Sequence, residues 1–172
     1  MTVDYTRIAA YDVRNAMWNA LQDAELFDIN DYYPDGFAEP IIPIVPSQQI
    51  PEINNLLPGK DYITYDIVQK KTNVQWWVTN ETILLEIISR DNARIFTIIN
   101  FLTDLFRRYD LSAKSVNSNT SIDSPFNFLT FNIESTDPVQ SYTDEGGYMS
   151  GDISISYSYT RDISDSITGR YS

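Results

Sequence analysis

Two stretches of the chain place apolar residues at the three- to four-residue spacing of an amphipathic α-helix. Residues 6–24 repeat alanine, valine, methionine and leucine along one side. Residues 89–109 carry a broader stripe of isoleucine, leucine and phenylalanine, and Ser89 or Asp91 offers an N-cap oxygen. The pattern therefore predicts two helices, one in each stretch.

Five shorter stretches have the pattern of β-strands. These predicted strands are residues 62–68, 74–78, 82–88, 126–133 and 153–159. The first two alternate apolar and polar residues and are predicted to pair as a hairpin. Residues 82–88 are apolar at nearly every position, which is typical of a strand covered on both faces. The apolar face changes between Phe128 and Leu129, which predicts a bulge there.

Polar segments separate these elements. We predict a turn over residues 70–73 and a break in the strand pattern at Asn80. Residues 111–124 are rich in serine, asparagine and threonine, and this composition predicts a loop. Residues 136–147 are predicted to form a second polar connection.

The order of these elements predicts an α+β fold. We expect a mainly antiparallel sheet with two helices packed on one face and a long proline-rich extended arm. Residues 1–160 suit one domain, since a chain of this length buries most of its unfolded surface. Residues 161–172 have few apolar side chains and are predicted to form a polar C-terminal tail.

The arm is predicted over residues 34–58, which contain six of the eight prolines. Proline removes a backbone donor and fixes an extended path, so we expect no regular structure of the arm's own. Its central part, residues 41–46 (IIPIVP), is strongly apolar. Either the body of the same subunit or a neighbouring subunit must cover these side chains, and the sequence leaves both possibilities open.

The chain contains no cysteine and no histidine. Their absence excludes disulfides, thiolate nucleophiles, Ser-His-Asp triads and zinc sites built on thiolate or imidazole ligands. We therefore predict a protein without catalytic residues, a bound metal or a cofactor.

The net charge of -12 opposes tight binding to a phosphate backbone, because nucleic-acid affinity depends largely on lysine and arginine. A negative wall is compatible with DNA that passes without being held. No apolar run approaches the ~20 residues that span a bilayer, and the first residues lack a secretion signal. We expect synthesis in a cytoplasm and no association with membranes.

The candidate chemical motifs are weak. Asp144 with Glu145 and Asp28 with Asp31 are acidic pairs, but solvated turn acids are common in an acidic chain. Tyr33 stands where the glycine of a calcium loop would be required. These acids are therefore not predicted to be catalytic or to bind a metal.

The aromatic residues favour protein contacts. Trp76 and Trp77 send one indole to each face of a predicted strand, and the chain has twelve tyrosines. Rigid amphipathic rings are enriched at protein interfaces. Stacking on a sugar or a base is the alternative role for the two tryptophans.

The layout of the whole chain resembles the tail terminator, or tail-completion, proteins of tailed bacteriophages. The resemblance is carried by residues 43–52 (PIVPSQQIPE) leading to 62–66 (YITYD), by the strand-helix unit at 81–109, and by 144–148 (DEGGY) before the last strand. It covers roughly residues 5–160 and consists of an order of elements with loose motifs.

The resemblance implies a hexameric ring that caps the last ring of the tail tube, stops tube growth and offers its other face to neck or connector proteins. DNA would pass through the ring without specific binding. The protein would be part of the virion, and a sheath protein would be a further partner in a tail that has a sheath. The residues assigned to contacts with ring neighbours or the tube are Ile41, Ile42, Ile44, Val45, Gln48, Gln49, Glu145, Gly146, Gly147 and Tyr148. Asp144 and Glu145 are assigned to the lumen.

Other functions remain open on sequence alone. The length of the arm and the polar tail depart from the family pattern, so an adjacent neck, connector or sheath-stabilising protein is one alternative. A carbohydrate-binding, adhesin-like module would use exposed tryptophan and tyrosine. A carboxylate-dependent nuclease or hydrolase would need clustered acids and a divalent ion.

Overall fold

The computed structural model describes residues 8–49, 53, 55–72, 78–107, 109–119, 124–140 and 147–161. Within these residues the chain forms three α-helices and one five-stranded sheet, which is an α+β architecture. The helices are α1 (Ala9–Asp23), α2 (Asn92–Arg107) and α3 (Tyr109–Asn119). The strands are β1 (Ile44–Pro46), β2 (Tyr62–Thr72), β3 (Val78–Ser89), β4 (Phe126–Gln140) and β5 (Met149–Arg161).

The strand order across the sheet is β1-β2-β3-β5-β4. β1 pairs with β2 in parallel, and the other neighbours are antiparallel. Residues 62–67 were predicted to pair with residues 74–78 as a hairpin, but they pair with residues 83–88 of β3. Most of the second predicted strand, residues 74–77, lies outside the described residues.

Two predicted interruptions of the strands are wrong. β2 continues through Thr72, where a turn was expected, and Asn80 lies inside β3, where a break was expected. Asn80 has a ladder partner on each side, Lys71 on β2 and Ser158 on β5. Pairing on both sides outweighs the weak strand propensity of Asn80.

β4 is longer than predicted. It continues to Gln140 because Thr136 pairs with Ile153 and Gln140 with Ser150, so the expected polar connection at residues 136–147 is wrong for its first five positions. The predicted bulge is confirmed, since the register shifts between Phe128 and Thr130. The polar tail was expected from Arg161, which is instead the last residue of β5; residues 162–172 lie outside the described part.

The helical predictions are confirmed for α1 and α2, and Asp91 Oδ1 caps α2 by accepting a hydrogen bond from Ala93 N over 2.9 Å. The prediction of a loop at residues 111–124 is wrong for residues 111–119, since α3 extends to Asn119; residues 120–123 lie outside the described part. Ala113 and Val116 are buried one helical turn apart on α3. Tertiary packing of these two residues outweighs the loop-like composition around them.

The core lies on the sheet face that carries the odd-numbered residues of β3. Ile83 pairs with Ile155, and Leu85 with Ile153. α2 contacts β3, β4 and β5, while α3 contacts β4 and α1. The aromatic side chains that fill this region are Phe106, Phe128, Phe131, Tyr157 and Tyr159.

Candidate subunit interface

The central part of the proline-rich segment belongs to the sheet of its own subunit. β1 pairs with residues Ile63 to Tyr65 of β2, and Ile44 and Val45 are buried. This corrects the expectation that the segment has no regular structure. A strand forms here because β1 is short and lies at the sheet edge, where prolines are tolerated.

Hydrogen bonds tie this segment down on both sides of β1. Ile41 N donates to Tyr32 O over 2.9 Å, and Ile63 N donates to Pro43 O over 2.8 Å. After the strand, Ser47 Oγ donates to Asp66 Oδ1 over 2.6 Å. The backbone that presents the predicted interface side chains is therefore held in one place.

Two open cavities flank the segment, with volumes of about 310 Å3 and about 150 Å3. Ile41, Val45 and Gln49 line both of them. Tyr11 and Arg14 of α1 line the larger cavity, and the Arg14 guanidinium lies 5.3 Å from the centre of the Tyr11 ring. A concave surface that combines isoleucine and valine with tyrosine, arginine and glutamine has the mixed composition of a protein-binding site.

The six predicted interface residues of this segment differ in exposure. Ile44 and Val45 are buried, Ile41 and Ile42 are half-buried, and Gln48 and Gln49 are exposed. Ile41, Ile42 and the two glutamines are thus the ones that a second protein could reach without unfolding the subunit. Their contact with another chain stays a prediction.

The second predicted interface segment is residues 145–148, and Asp144 and Glu145 are the predicted lumen acids. Asp144, Glu145 and Gly146 lie outside the described residues. Gly147 is exposed with φ of 74°, a conformation that favours glycine. Tyr148 is 5% exposed and packs edge-to-face against Tyr62, with ring centres 6.0 Å apart. The tyrosine is thus integrated into its own subunit, whatever else it contacts.

Tyr148 lies close to the proline-rich segment through β2. Gly59 N donates to Tyr148 Oη over 2.8 Å, and the Arg90 guanidinium lies 4.8 Å from the centre of the Tyr148 ring. Tyr62 packs on this ring, and the next residue of β2, Ile63, pairs with Ile44. The two predicted segments therefore meet at neighbouring residues of β2.

A polar cluster that the sequence did not predict supports this region. Arg94 Nε donates to Asp61 Oδ2 over 3.0 Å, and Tyr32 Oη donates to Asp61 O over 2.8 Å. Arg94 also lies 5.0 Å from the centre of the Phe27 ring. Burial, and next the nearby Asp61 carboxylate, raises the pKa of Tyr32 well above its ordinary value. No spacing in the sequence marks these residues as partners.

A buried carboxylate on the core face was also missed. Glu81 is 2% exposed, and Tyr157 Oη donates to its Oε1 over 3.5 Å. The pKa values of Tyr157 and Tyr159 are raised well above the ordinary value for tyrosine. Burial is the larger cause for both, and the charge of Glu81 is the next. In the sequence, Thr82 and the apolar residues that follow it indicate only a strand covered on both faces.

The other face of the sheet carries a row of acids. Glu86 pairs with Asp152, and Asp152 pairs with Asp137 on β4. Burial, and next the charges of Glu86 and Asp137, raises the pKa of Asp152. Among the described residues, no group of three or more aspartates or glutamates is placed to hold a metal ion.

The two tryptophans considered for stacking, Trp76 and Trp77, lie outside the described residues. In the part of the chain that the structure describes, no helix is both long enough and apolar enough to cross a bilayer. No protein-family model matches the sequence, and a search of curated proteins finds no significant match.

Proposed function

We propose that this chain is a structural protein of a tailed-bacteriophage virion, a tail terminator that forms a hexameric ring, caps the tail tube and joins the tail to the neck. The order of elements supports this proposal: an extended proline-rich segment enters a strand, a strand-helix unit follows, and a final strand closes the sheet. The observation that carries the proposal is the fixed, partly exposed concave surface around Ile41 and Ile42, which combines apolar and polar side chains.

The proposed mechanism is geometric. A subunit that contacts its neighbour through two different surfaces closes into a ring when the rotation between copies completes a circle. One face of the ring fits the last ring of tube subunits, and the other face does not reproduce the site to which another tube subunit would add. Tube growth stops without any bond being made or broken.

The proline-rich segment suits this role because some of its residues anchor it in the sheet and others lie at the surface. Ile44 and Val45 anchor it in the sheet, so Ile41, Ile42 and Gln49 are presented at a fixed position. A preformed surface loses less conformational entropy on binding than a mobile arm would. The net charge of -12, with Asp144 and Glu145 as the proposed lumen acids, lets DNA pass without being retained.

The test is the addition of purified protein to tail tubes assembled from the tube protein of the same virus. We expect the unmodified chain to bind tube ends and stop growth. The double variant Ile41→Asp/Ile42→Asp should fold but not bind, whereas Phe96→Asp, at an exposed apolar residue on α2, should bind normally. Failure of the unmodified chain to bind, or normal binding by the double variant, would overturn the proposal.

The same surface would serve an adjacent neck, connector or sheath-stabilising protein. These alternatives differ from a terminator in where the protein lies within the particle, so localisation by electron microscopy separates them. A carbohydrate-binding role would depend on Trp77, and loss of glycan binding in Trp77→Ala would identify it.

A further inference from the structure

We propose that the larger cavity beside the proline-rich segment binds the carboxylate of an aspartate or glutamate side chain in a partner protein, and that Arg14 recognises it. An apolar side chain close to this acid fills the smaller cavity. The inference rests on the proposed function, because it specifies the chemistry of the partner at the surface that was assigned to binding.

Arg14 is positioned at the cavity but is poorly hydrogen-bonded. It is half-buried on α1 and lines the cavity of about 310 Å3. Its guanidinium lies 5.3 Å from the centre of the Tyr11 ring, which helps to orient it. Nε and Nη2 donate to Asn15 Oδ1 over 3.4 Å and 3.3 Å, and both distances are long for N–H donors. Since arginine has five N–H donors, most of this capacity is not used by the described residues.

The subunit does not supply an anion for this arginine. In the part of the chain that the structure describes, no aspartate or glutamate forms an ion pair with Arg14. The described lining of the larger cavity also contains no acidic residue. Covering an unpaired charge with another protein is costly, whereas covering a paired and hydrogen-bonded charge costs far less. A protein that binds over this cavity must therefore bring a negative group to Arg14.

The hydroxyl of Tyr65 is a second incompletely satisfied group. Tyr65 lines the same cavity and is 6% exposed, and its hydroxyl has no hydrogen-bond partner among the described residues. Burial raises the pKa of Tyr65, and the charge of Arg14 acts against this rise. The guanidinium thus lies near the hydroxyl without forming a hydrogen bond of normal geometry. A buried polar group in this condition is expected where a partner completes the site.

The smaller cavity suits an apolar side chain. It has a volume of about 150 Å3, and its described lining is Ile41, Val45, Gln49, Ile53 and Leu56. A cavity of this size accommodates one small hydrocarbon group. Three of these residues also line the larger cavity, so one extended segment reaches both. The partner is therefore expected to carry an acidic residue close to an apolar one.

The same features disfavour a nucleic acid or a free phosphate. Binding to a phosphate backbone depends on several cations that neutralise successive phosphates. Among the described lining residues of the two cavities, Arg14 is the only lysine or arginine. The net charge of -12 repels a polyanion, whereas a single carboxylate beside an apolar group matches one cation beside an apolar cavity.

The simpler explanation is that Arg14 is a solvated surface residue. Arginine often covers apolar surface with its stem and keeps its charge in water. This explanation predicts that ligands bound at the surface show no preference for acidic residues. It also predicts that removing the charge of Arg14 leaves their affinity unchanged.

The test begins with a yeast-display selection of randomised short peptides against the full chain and, in parallel, against Arg14→Gln. The two proteins differ by one charge and keep the same apolar residues around the cavities. We expect peptides selected on the unmodified chain to be enriched, relative to the starting library, in aspartate or glutamate close to an apolar residue. Peptides selected on Arg14→Gln should lack this enrichment.

Fluorescence polarisation then measures the affinity of the peptide most enriched on the unmodified chain. We expect Arg14→Gln to weaken its binding at least about tenfold. Arg14→Lys should weaken it less, because lysine keeps the charge and loses only the planar fork. Replacing the acid of the peptide by its amide should weaken binding to the unmodified chain and have little further effect on Arg14→Gln.

The matched control is Arg107→Gln, which makes the same change in net charge at an exposed position on α2. It should bind the peptide like the unmodified chain, and circular dichroism verifies that each variant is folded. No enrichment of acidic residues, equal enrichment on the two proteins, or equal weakening by Arg107→Gln would overturn the carboxylate site.

These outcomes are separable from those of the proposed function. Enrichment of acidic peptides that depends on Arg14, in a protein that does not bind tail tubes, would support the carboxylate site and contradict the terminator function. Normal capping of tubes by both the unmodified chain and Arg14→Gln, with no enrichment of acidic peptides, would have the opposite meaning.

Discussion

The backbone N–H of Gly59 donates a hydrogen bond to the hydroxyl of Tyr148 over 2.8 Å, which connects the turn before β2 to the residue before β5. The two residues are 89 positions apart in the chain. Gly59 has a φ of 79°, and a Cβ built there would lie 3.3 Å from an Arg90 nitrogen. The contact thus fixes a tight turn against the buried Tyr148 ring.

This contact predicts a measurable cost for Tyr148→Phe. The substitution keeps the ring but leaves the Gly59 N–H without its acceptor, so we expect the free energy of unfolding to fall by about 1 to 2 kcal/mol. Urea denaturation measures the difference. Tyr33→Phe, at a tyrosine that is 46% exposed, is the control and should change stability little. Equal effects of the two substitutions would contradict the role of this contact.

The proline-rich segment predicts a contrast between two isoleucines. Ile44 is 1% exposed, so Ile44→Ala should lower the free energy of unfolding by about 2 to 5 kcal/mol. Ile41 is half-buried beside the two cavities, and Ile41→Ala should cost much less. Urea denaturation of both variants checks the contrast. A small cost at Ile44 would mean that β1 is not part of the core.

The acidic row on the sheet predicts a pH dependence. The raised pKa of Asp152 means that the folded state binds its proton more tightly than the unfolded state does. The stabilisation is therefore present below the ordinary aspartate pKa of ~3.9 and is lost as the pH rises through the raised value. We expect Asp152→Asn to gain stability relative to the unmodified chain between pH ~4 and pH ~7.

Urea denaturation of both proteins across this pH range measures the difference. The charges of Glu86 and Asp137 lie across the sheet from Asp152 and oppose its ionisation. A stability difference that stays constant, or that shrinks as the pH rises, would contradict the proposed repulsion.

The buried tyrosines predict resistance to alkaline titration. The pKa values of Tyr32, Tyr157 and Tyr159 are raised, chiefly by burial, so these hydroxyls stay protonated in the folded protein above pH ~10. Their contribution to stability is lost as the pH rises from the pKa of tyrosine in the unfolded chain toward the higher pKa in the folded protein. Ultraviolet absorbance should show fewer than twelve tyrosinates until the chain unfolds. Ionisation of all twelve in the folded state would contradict their burial.

Much of the fold was predictable from the pattern of apolar residues. The stripe of α2 and the alternation of β5 follow the periods of regular structure, and both were confirmed. The errors occur where long-range pairing outweighs local preference. Asn80 and Lys71 are polar, yet each completes a ladder with the other. α3 was missed because its polar residues outnumber the buried Ala113 and Val116.

The candidate interface was less predictable than the fold. The sequence identified residues 41–46 as an apolar segment in need of a cover, but could not distinguish the buried Ile44 from the more accessible Ile41 and Ile42. That distinction depends on the pairing of Ile44 with Ile63, which lies beyond the range of local patterns. The order of the strands across the sheet also depends on long-range pairing, and no local pattern in the sequence determines it.

The most direct measurement of the central claim is electron microscopy of virus particles that carry a labelled copy of this chain. The account predicts a six-fold ring of labelled subunits at the head-proximal end of the tail tube, and unregulated tube lengths in particles made without the protein. Absence of the label from assembled particles, or normal tails in its absence, would contradict the account.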